Sequence, residues 1–308
     1  MKYSPEKLQE LQKLSLEEKI QLSSLRITEW YTYYNGNVCV AFSGGKDSTV
    51  LLHLVRSIYP EVPAVYIDTR LDYPEVREHV MNAENVIHLK PRMNFREVID
   101  TYGYPFPSKE VAQVIDAAKR GVTWGLNRLE GKNNSGVYSD FKFSIYNKWK
   151  KLVDLPVKIS DRCCDEMKEI PMKNFLKESG LKPFVGIMAT ESIRRRNAWL
   201  QAGCNAFSTG QSKPLSFWTE QDILQYIKEN NIKIPSVYGN IIEDKKGKLK
   251  LTGCNRTGCV FCPIGSHLVK KKENNKFLKL KESHPNLYEY CMKELGLDEF
   301  LTQVGVEH

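Results

Sequence analysis

The sequence predicts an open α/β fold: a mostly parallel, twisted sheet with helices on both faces. N-terminal helices precede it, and a Cys-rich, basic, helical region follows. Three observations predict this. Short, continuously apolar runs alternate with segments of helical periodicity, as expected for parallel strands covered on both sides. The first such run leads into a glycine-rich turn and then a helix. Polar residues stand just past the ends of three runs, where open α/β sheets bind ligands.

Residues 4–34 read as helical, with Leu8, Leu11, Leu14, Ile20, Leu22, Leu25 and Trp30 at spacings near three and four. Asn35-Gly36-Asn37 is a turn. The first strand is Val38–Phe42, followed by Ser43-Gly44-Gly45-Lys46-Asp47-Ser48 and a helix from Thr49 to Ile58. Further strands are expected at Ala64–Ile67, Val86–Leu89 and Pro183–Met188. Gly121–Asp140, rich in Gly, Asn and Ser, reads as a loop or insertion. Asp222–Asn230 reads as a helix, and Lys245–Lys250 as a hairpin turn around Gly247. The final 40 residues read as helical. The expected division is an N-terminal helical segment (1–35), a nucleotide-binding α/β domain (36–240) and a C-terminal region (241–308).

Composition bounds the function. The 308 residues are 41% hydrophobic and 27% charged, enough for a core and ordinary for a globule, which excludes disordered and fibrous classes. No apolar run reaches the roughly 18 residues of a membrane span. Met1–Lys19, rich in Lys and Glu, does not read as a secretory signal. The expectation is a cytoplasmic protein. The net charge is +8, and the stretch Glu243–Lys281 carries eleven Lys/Arg against three Asp/Glu. Such a concentration is either a solvated surface or a face for a polyanion.

The hexapeptide Ser43–Ser48 is an anion cradle. Its glycines let backbone N–H groups approach a phosphate, the helix start adds partial positive charge, Lys46 adds a full one, and Ser43 and Ser48 add hydroxyls. It is not a Walker loop, because Val40 stands where that motif needs glycine. Asp68, Glu191 and Ser192 lie just past other strands, so one crevice could gather them with Ser43. Arg194-Arg195-Arg196 follows at the same edge.

Five of the eight cysteines cluster as Cys163-Cys164 and as Cys254, Cys259 and Cys262. In a reducing compartment clustered thiols point to metal rather than disulfides. Soft thiolates suit an iron–sulfur cluster or zinc. Five candidates leave the four ligands open: Cys163, Cys259 and Cys262, with Cys254 or Cys164. Cys39, Cys204 and Cys291 stand alone and read as inert packing.

These motifs together resemble the phosphoadenosine phosphosulfate reductase family, within the adenine nucleotide alpha hydrolase superfamily of PP-loop ATP pyrophosphatases. Ser43–Ser48 resembles its pyrophosphate loop, and Val65-Tyr66-Ile67-Asp68-Thr69 its second strand and adenosine-contacting end. Gly186–Ser192 with Arg195 is similar to its Gly-Ile-Arg-Ala-x-Glu-Ser-x-x-Arg stretch, with Met188 where Arg is common. Pro214-Leu215-Ser216-Phe217-Trp218-Thr219 with Asp222 is similar to the start of a family helix. Cys163-Cys164 with Lys168 and Pro171 resembles the Cys-Cys-x-x-x-Lys-x-x-Pro element of the iron–sulfur reductases. The resemblance spans residues 36–265.

It implies ATP with Mg²⁺ and a cluster, 4Fe-4S, with zinc as the alternative. Lys46, Asp47 and Arg195 would be catalytic. Ser43, Gly44, Gly45, Lys46, Asp47, Ser48, Asp68, Glu191 and Ser192 would bind the nucleotide, and Cys163, Cys164, Cys254, Cys259 and Cys262 are the metal candidates. The expected activity is ATP-dependent adenylation and sulfur transfer. The acceptor would be a nucleic acid, tRNA or DNA, docked by the basic 243–281 segment, and the sulfur donor a cysteine desulfurase or sulfide. One alternative is an adenylylsulfate or phosphoadenylylsulfate reductase. Those reductases carry a nucleophilic cysteine in a Glu-Cys-Gly-Leu-His tail, whereas the sequence here reads Val304-Gly305-Val306-Glu307-His308. Cys291 would then have to act. A non-catalytic nucleotide-binding subunit of a modification complex is the other alternative.

Overall fold

The apolar runs form the strands of one sheet in a computed structural model that describes residues 2–138, 146–268 and 275–308. Six strands line up in the order β3-β2-β1-β4-β6-β5. They are β1 (Val38–Ala41), β2 (Ala64–Ile67), β3 (Val86–Leu89), β4 (Lys182–Val185), β5 (Asn205–Ala206) and β6 (Gln211–Ser212). All neighbours are parallel except the β5–β6 pair. Val38, Cys39 and Val40 are fully buried, which is why β1 reads as an unbroken apolar run rather than an alternating one. β1 sits between β2 and β4, Val40 opposite both Ala64 and Phe184. The strand order reverses there, so the carboxyl ends of β1 and β4 flank the crevice in which such sheets bind ligands.

The sequence reading differs from the structure in detail. One helix over residues 4–34 becomes two, α1 (Pro5–Lys13) and α2 (Leu16–Tyr33). The break is chemical: Ser15 caps α2 and Glu18 returns the bond to the Ser15 N–H, a capping box. The helix after the hexapeptide, α3 (Lys46–Arg56), starts three residues earlier than expected. β4 ends at Val185, short of Met188. β5 and β6, two residues each, carry no periodicity that sequence could reveal. The polar hairpin is present as β7 (Ile241–Glu243) and β8 (Leu249–Leu251), with Gly247 at φ +75° between them.

The compact units do not follow the expected cuts at 35 and 240. One unit comprises Met1–Lys90 and Pro171–Thr257, the other Pro91–Ile170 and Gly258–His308. The N-terminal helices belong to the first unit because Leu8, Leu16, Ile27 and Trp30 join its core, with Val50, Leu51, Leu54, Phe184 and Trp218. The chain leaves this unit after β3 and returns before β4. The second unit is helical, with helices at Phe95–Tyr102, Lys109–Lys119, Thr123–Leu129, Lys276–Ser283 and Leu297–Val304. Its centre is aromatic: Tyr104 lies 4.9 Å from Phe300 and Phe106 5.8 Å from Trp149, centroid to centroid. The stretch Gly121–Asp140, expected as a loop, contains the helix Thr123–Leu129, with Leu129 buried. Its last two residues lie outside the described residues. Among the described residues no helix is long and apolar enough to cross a membrane.

A buried ion pair fastens α2 to the helix Glu220–Glu229. Lys19 Nζ lies 2.9 and 2.8 Å from the two Asp222 oxygens and donates to the Gln12 carbonyl at 2.8 Å. Asp222 also accepts from the Thr219 N–H at 2.6 Å, capping its own helix. Breaking one side of such a pair strands the other charge. Asp222→Ala is therefore expected to lower unfolding stability by about 3–5 kcal/mol, read as a shifted urea midpoint.

Candidate functional site

The hexapeptide links the end of β1 to α3. Ser48 Oγ accepts the Ser43 N–H at 3.2 Å and donates to the Gly45 carbonyl at 2.9 Å, which folds the loop onto the helix start. Gly44 has φ +73°, and a Cβ there would stand 2.5 Å from Val80 of α4 (Pro74–Met81). Glycine is required for both reasons. Gly186, just past β4, would place a Cβ 3.2 Å from the Asp47 carbonyl, so the β4 exit runs tightly over the first turn of α3. The Gly45 N-cap of α3 makes no side-chain hydrogen bond to the helix, leaving its first turn without the usual Ser or Asp cap.

Lys46 is buried, its Nζ 3.1 and 3.2 Å from the Asp47 carboxylate oxygens and 3.7 Å from Glu220. Its backbone N–H donates to Tyr238 Oη at 3.0 Å, and that phenol lies 2.8 Å from Thr257 Oγ1. Burial pushes the Tyr238 phenol up, while Thr257 and Lys46 oppose the shift. Thr49 Oγ1 contacts Gly45 O at 3.1 Å and His79 Nε2 at 3.2 Å.

Asp68 follows β2 and is buried. Arg77 holds it with two donors at 3.1 and 2.9 Å, and Arg70 lies 3.7 Å away. Burial acts to raise its pKa, but the Arg77 bonds and charge outweigh this and keep the carboxyl below its ordinary range. Glu191 accepts the Met188 N–H at 2.8 Å and pairs with Arg195. Burial, then the neighbouring Arg256 guanidinium, lower the Arg195 pKa, and Asp47 opposes them. Electrostatics thus link the β4 edge to the loop. Ser192 is the N-cap of helix Ile193–Ala202, accepting the Arg195 N–H at 3.2 Å. Arg194 is exposed. Arg196 lines an open cleft of about 440 Å³ with Thr190, Ser192, Ile193, Gln9 and Gln12.

Sequence reasoning missed Tyr238, Thr257, Arg77, Arg256 and Glu220. All but Arg77 are far from the hexapeptide in the chain and reach it only through the fold. Arg77, three residues after Pro74 on the polar side of α4, carried no motif.

The cysteines divide between the units. Cys254 belongs to the first, its Sγ 4.0 Å from Tyr73 Oη. Cys163, Cys164, Cys259 and Cys262 belong to the second and interact electrostatically as a group. Burial raises the Cys163 thiol, and Cys164, Cys259 and Cys262 raise it further. Burial with Cys262 and Cys259 brings Cys164 to about 11. Cys163-Cys164 run into a π-helical turn, Asp165–Glu169, and the Cys262 N–H donates to Cys259 O at 3.2 Å. Lys276 Nζ donates to the Cys262 carbonyl. Four neighbouring thiols form a soft donor set, and binding metal would strip their protons. Among the described residues no three His, Cys, Asp or Glu side chains converge as a single-ion site. Cys291 is fully buried, and burial pushes its thiol to about 12.

The basic segment is divided between the two units. Lys245, Lys246, Lys248 and Lys250 lie on the β7–β8 hairpin of the first unit, where Lys250 pairs with Asp244 at 2.7 Å. Lys276, Lys279 and Lys281 lie in the second unit. Lys270, Lys271 and Lys272 fall outside the described residues.

A parallel sheet with this loop at its switch point defines an α/β nucleotide-binding protein of the PP-loop type. Residues 37–108 and 79–264, two overlapping stretches, match the phosphoadenosine phosphosulfate reductase domain, and the chain belongs to that family. It is 23% identical over 297 residues to an uncharacterised protein of Methanocaldococcus jannaschii, covering 92% of this chain and 55% of that one. It is 25% identical over 205 residues to an adenosine 5'-phosphosulfate reductase of Rhodococcus opacus, covering 66% and 63%. The chain thus spans less than two thirds of these relatives. A phosphoadenylyl-sulfate reductase of Candida auris, solved with phosphate, superposes with a TM-score of 0.40 at 16% identity, over 80% of this chain and 98% of that one.

Gly44→Ala tests the loop geometry. A left-handed backbone and a Cβ crowded against Val80 together are expected to cost about 2–5 kcal/mol, measured as a fall in unfolding free energy.

Proposed function

We propose that the chain is an ATP-dependent, AMP- and pyrophosphate-forming sulfur-transfer enzyme that carries an iron–sulfur cluster and acts on a nucleic acid. One observation carries this reading: the hexapeptide has its glycines, a buried Lys46 paired with Asp47, and a helix start without a local side-chain cap at the sheet's switch point. In this reading an acceptor carbonyl oxygen attacks the α-phosphorus of ATP, and the bond to the β-phosphate oxygen breaks. Pyrophosphate is the leaving group. A sulfide-level donor then adds at the adenylated carbon, the carbon–oxygen bond breaks, and AMP departs with that oxygen and the electron pair. Lys46 and the loop amides stabilise charge on the leaving phosphates, Arg195 stands on the helix after β4, and Asp47 orients Lys46 and would offer its carboxylate to Mg²⁺, which would neutralise phosphate charge. The basic hairpin supplies the sequence-independent attraction a nucleic acid would need.

The thiols Cys163, Cys164, Cys259 and Cys262 would hold the cluster, which supplies a soft site able to carry sulfur or tune local charge. Zinc is the alternative occupant. Each of these four changed to Ser is expected to reduce bound iron per chain after anaerobic purification, whereas Cys254→Ser retains it. Equal loss from Cys254→Ser would move that thiol into the ligand set.

A reductase of adenylylsulfate is the second reading, favoured by the family and by the Rhodococcus opacus relative. Against it, Cys291 is buried with its thiol raised to about 12, which is unlike a nucleophile. Radiolabelled ATP with tRNA or DNA and sulfide is expected to yield AMP and pyrophosphate. Lys46→Ala should reduce this turnover by about a hundredfold or more. Sulfite from adenylylsulfate and a thiol, with ATP untouched, would establish the reductase instead.

A further inference from the structure

The charges around the hexapeptide are mostly balanced within the protein. Lys46 faces Asp47 and Glu220, Arg77 faces Asp68, and Arg195 faces Glu191. Arg256 differs. It is exposed, and among the described residues no carboxylate lies within ion-pair distance of it.

The backbone on either side of it is nevertheless anchored. Thr252, Gly253 and Cys254 donate backbone N–H groups to Asn240, Tyr238 and Val237, at 3.0, 3.0 and 2.9 Å. The next anchored residue is Thr257, whose hydroxyl reaches Tyr238 Oη, which in turn holds the Lys46 N–H. A Cβ on Gly45 would lie 3.5 Å from Thr257 Oγ1. Consecutive Cα atoms are about 3.8 Å apart, so Arg256 leaves the backbone one residue from the cradle. Its guanidinium is close enough to Arg195 for the two cations to repel each other. Two neighbouring guanidiniums, one of them unbalanced, become favourable when a shared anion arrives.

We propose that Arg256 is a nucleotide-phosphate contact: with Arg195 it takes a tetrahedral oxyanion of the bound nucleotide, so the loop 252–257 is part of the nucleotide site. This rests on the reading that Ser43–Ser48 grips a nucleotide. The ligand class is a nucleoside phosphate, selected by its charge.

The test is equilibrium binding of adenosine, AMP, ATP and inorganic pyrophosphate to the full chain and to Arg256→Gln, Arg256→Lys and Lys46→Ala, each checked by its melting curve. Arg256→Gln should weaken ATP about tenfold or more and leave adenosine unchanged, while Arg256→Lys restores part of the loss. If Arg256→Gln binds ATP within about twofold of the parent while Lys46→Ala does not bind it, Arg256 is no phosphate contact and the loop reading stands. If Arg256→Gln weakens adenosine as much as ATP, the residue acts on the fold and the assignment fails. If Lys46→Ala leaves every affinity unchanged, the hexapeptide reading fails and this assignment with it.

Discussion

The first turn of α3 depends on close backbone approaches rather than on a side-chain cap. Gly44 lies against Val76 and Val80, and the chain leaving β4 at Gly186 runs over Asp47 and Ser48. These contacts clamp the loop and helix start between α4 and the exit of β4. Because Gly45 contributes no side chain, the amides at that end are satisfied only by what the fold brings, and Tyr238 already takes one of them. Helix ends buried without partners are costly, so a phenol and an incoming anion are alternative solutions to one requirement. The paired charges around it follow from the same crowding. Lys46 could not stay buried without Asp47, nor Asp68 without Arg77.

Much of this was legible in the sequence, for a simple reason. A strand covered on both faces must be apolar throughout, so β1 and β2 announced themselves, whereas the half-buried edge strand β3 showed only as apolar residues around His88; a loop that cradles anions needs glycines and a cation in close succession. What sequence concealed was whatever depends on distant partners. Tyr238 and Thr257 look like ordinary loop residues until the fold returns them to Lys46. Ser192 matched a binding motif, yet its hydroxyl caps a helix. Asp68 stood at the right strand end, yet its oxygens are occupied by Arg77. The break between α1 and α2 was written as Ser15 and Glu18 but was masked by the leucine periodicity running across it.

The cysteines show how spacing and folding divide the work. Cys254 and Cys259 are five residues apart, and proximity in sequence suggested one cluster. The chain crosses between compact units at Thr257 and Gly258, so Cys254 packs near Tyr73 while Cys259 joins Cys163, Cys164 and Cys262. Thiols 95 residues apart, Cys164 and Cys259, become neighbours within one unit. The same crossing divides the lysine-rich stretch between the two units.

The Lys19–Asp222 pair reaches further than its own two helices. Asp222 orders the opening turn of the helix whose first residue, Glu220, faces Lys46. The amino-terminal helices are therefore coupled to the electrostatic surroundings of the loop lysine, although none of their residues touches it in the ion-pair network. A shortened version beginning at β1 would leave an uncompensated carboxylate inside the protein. Losses in such a fragment would then be mistaken for a missing substrate arm when their origin is an unpaired carboxylate on the same helix turn as the Glu220 that faces Lys46.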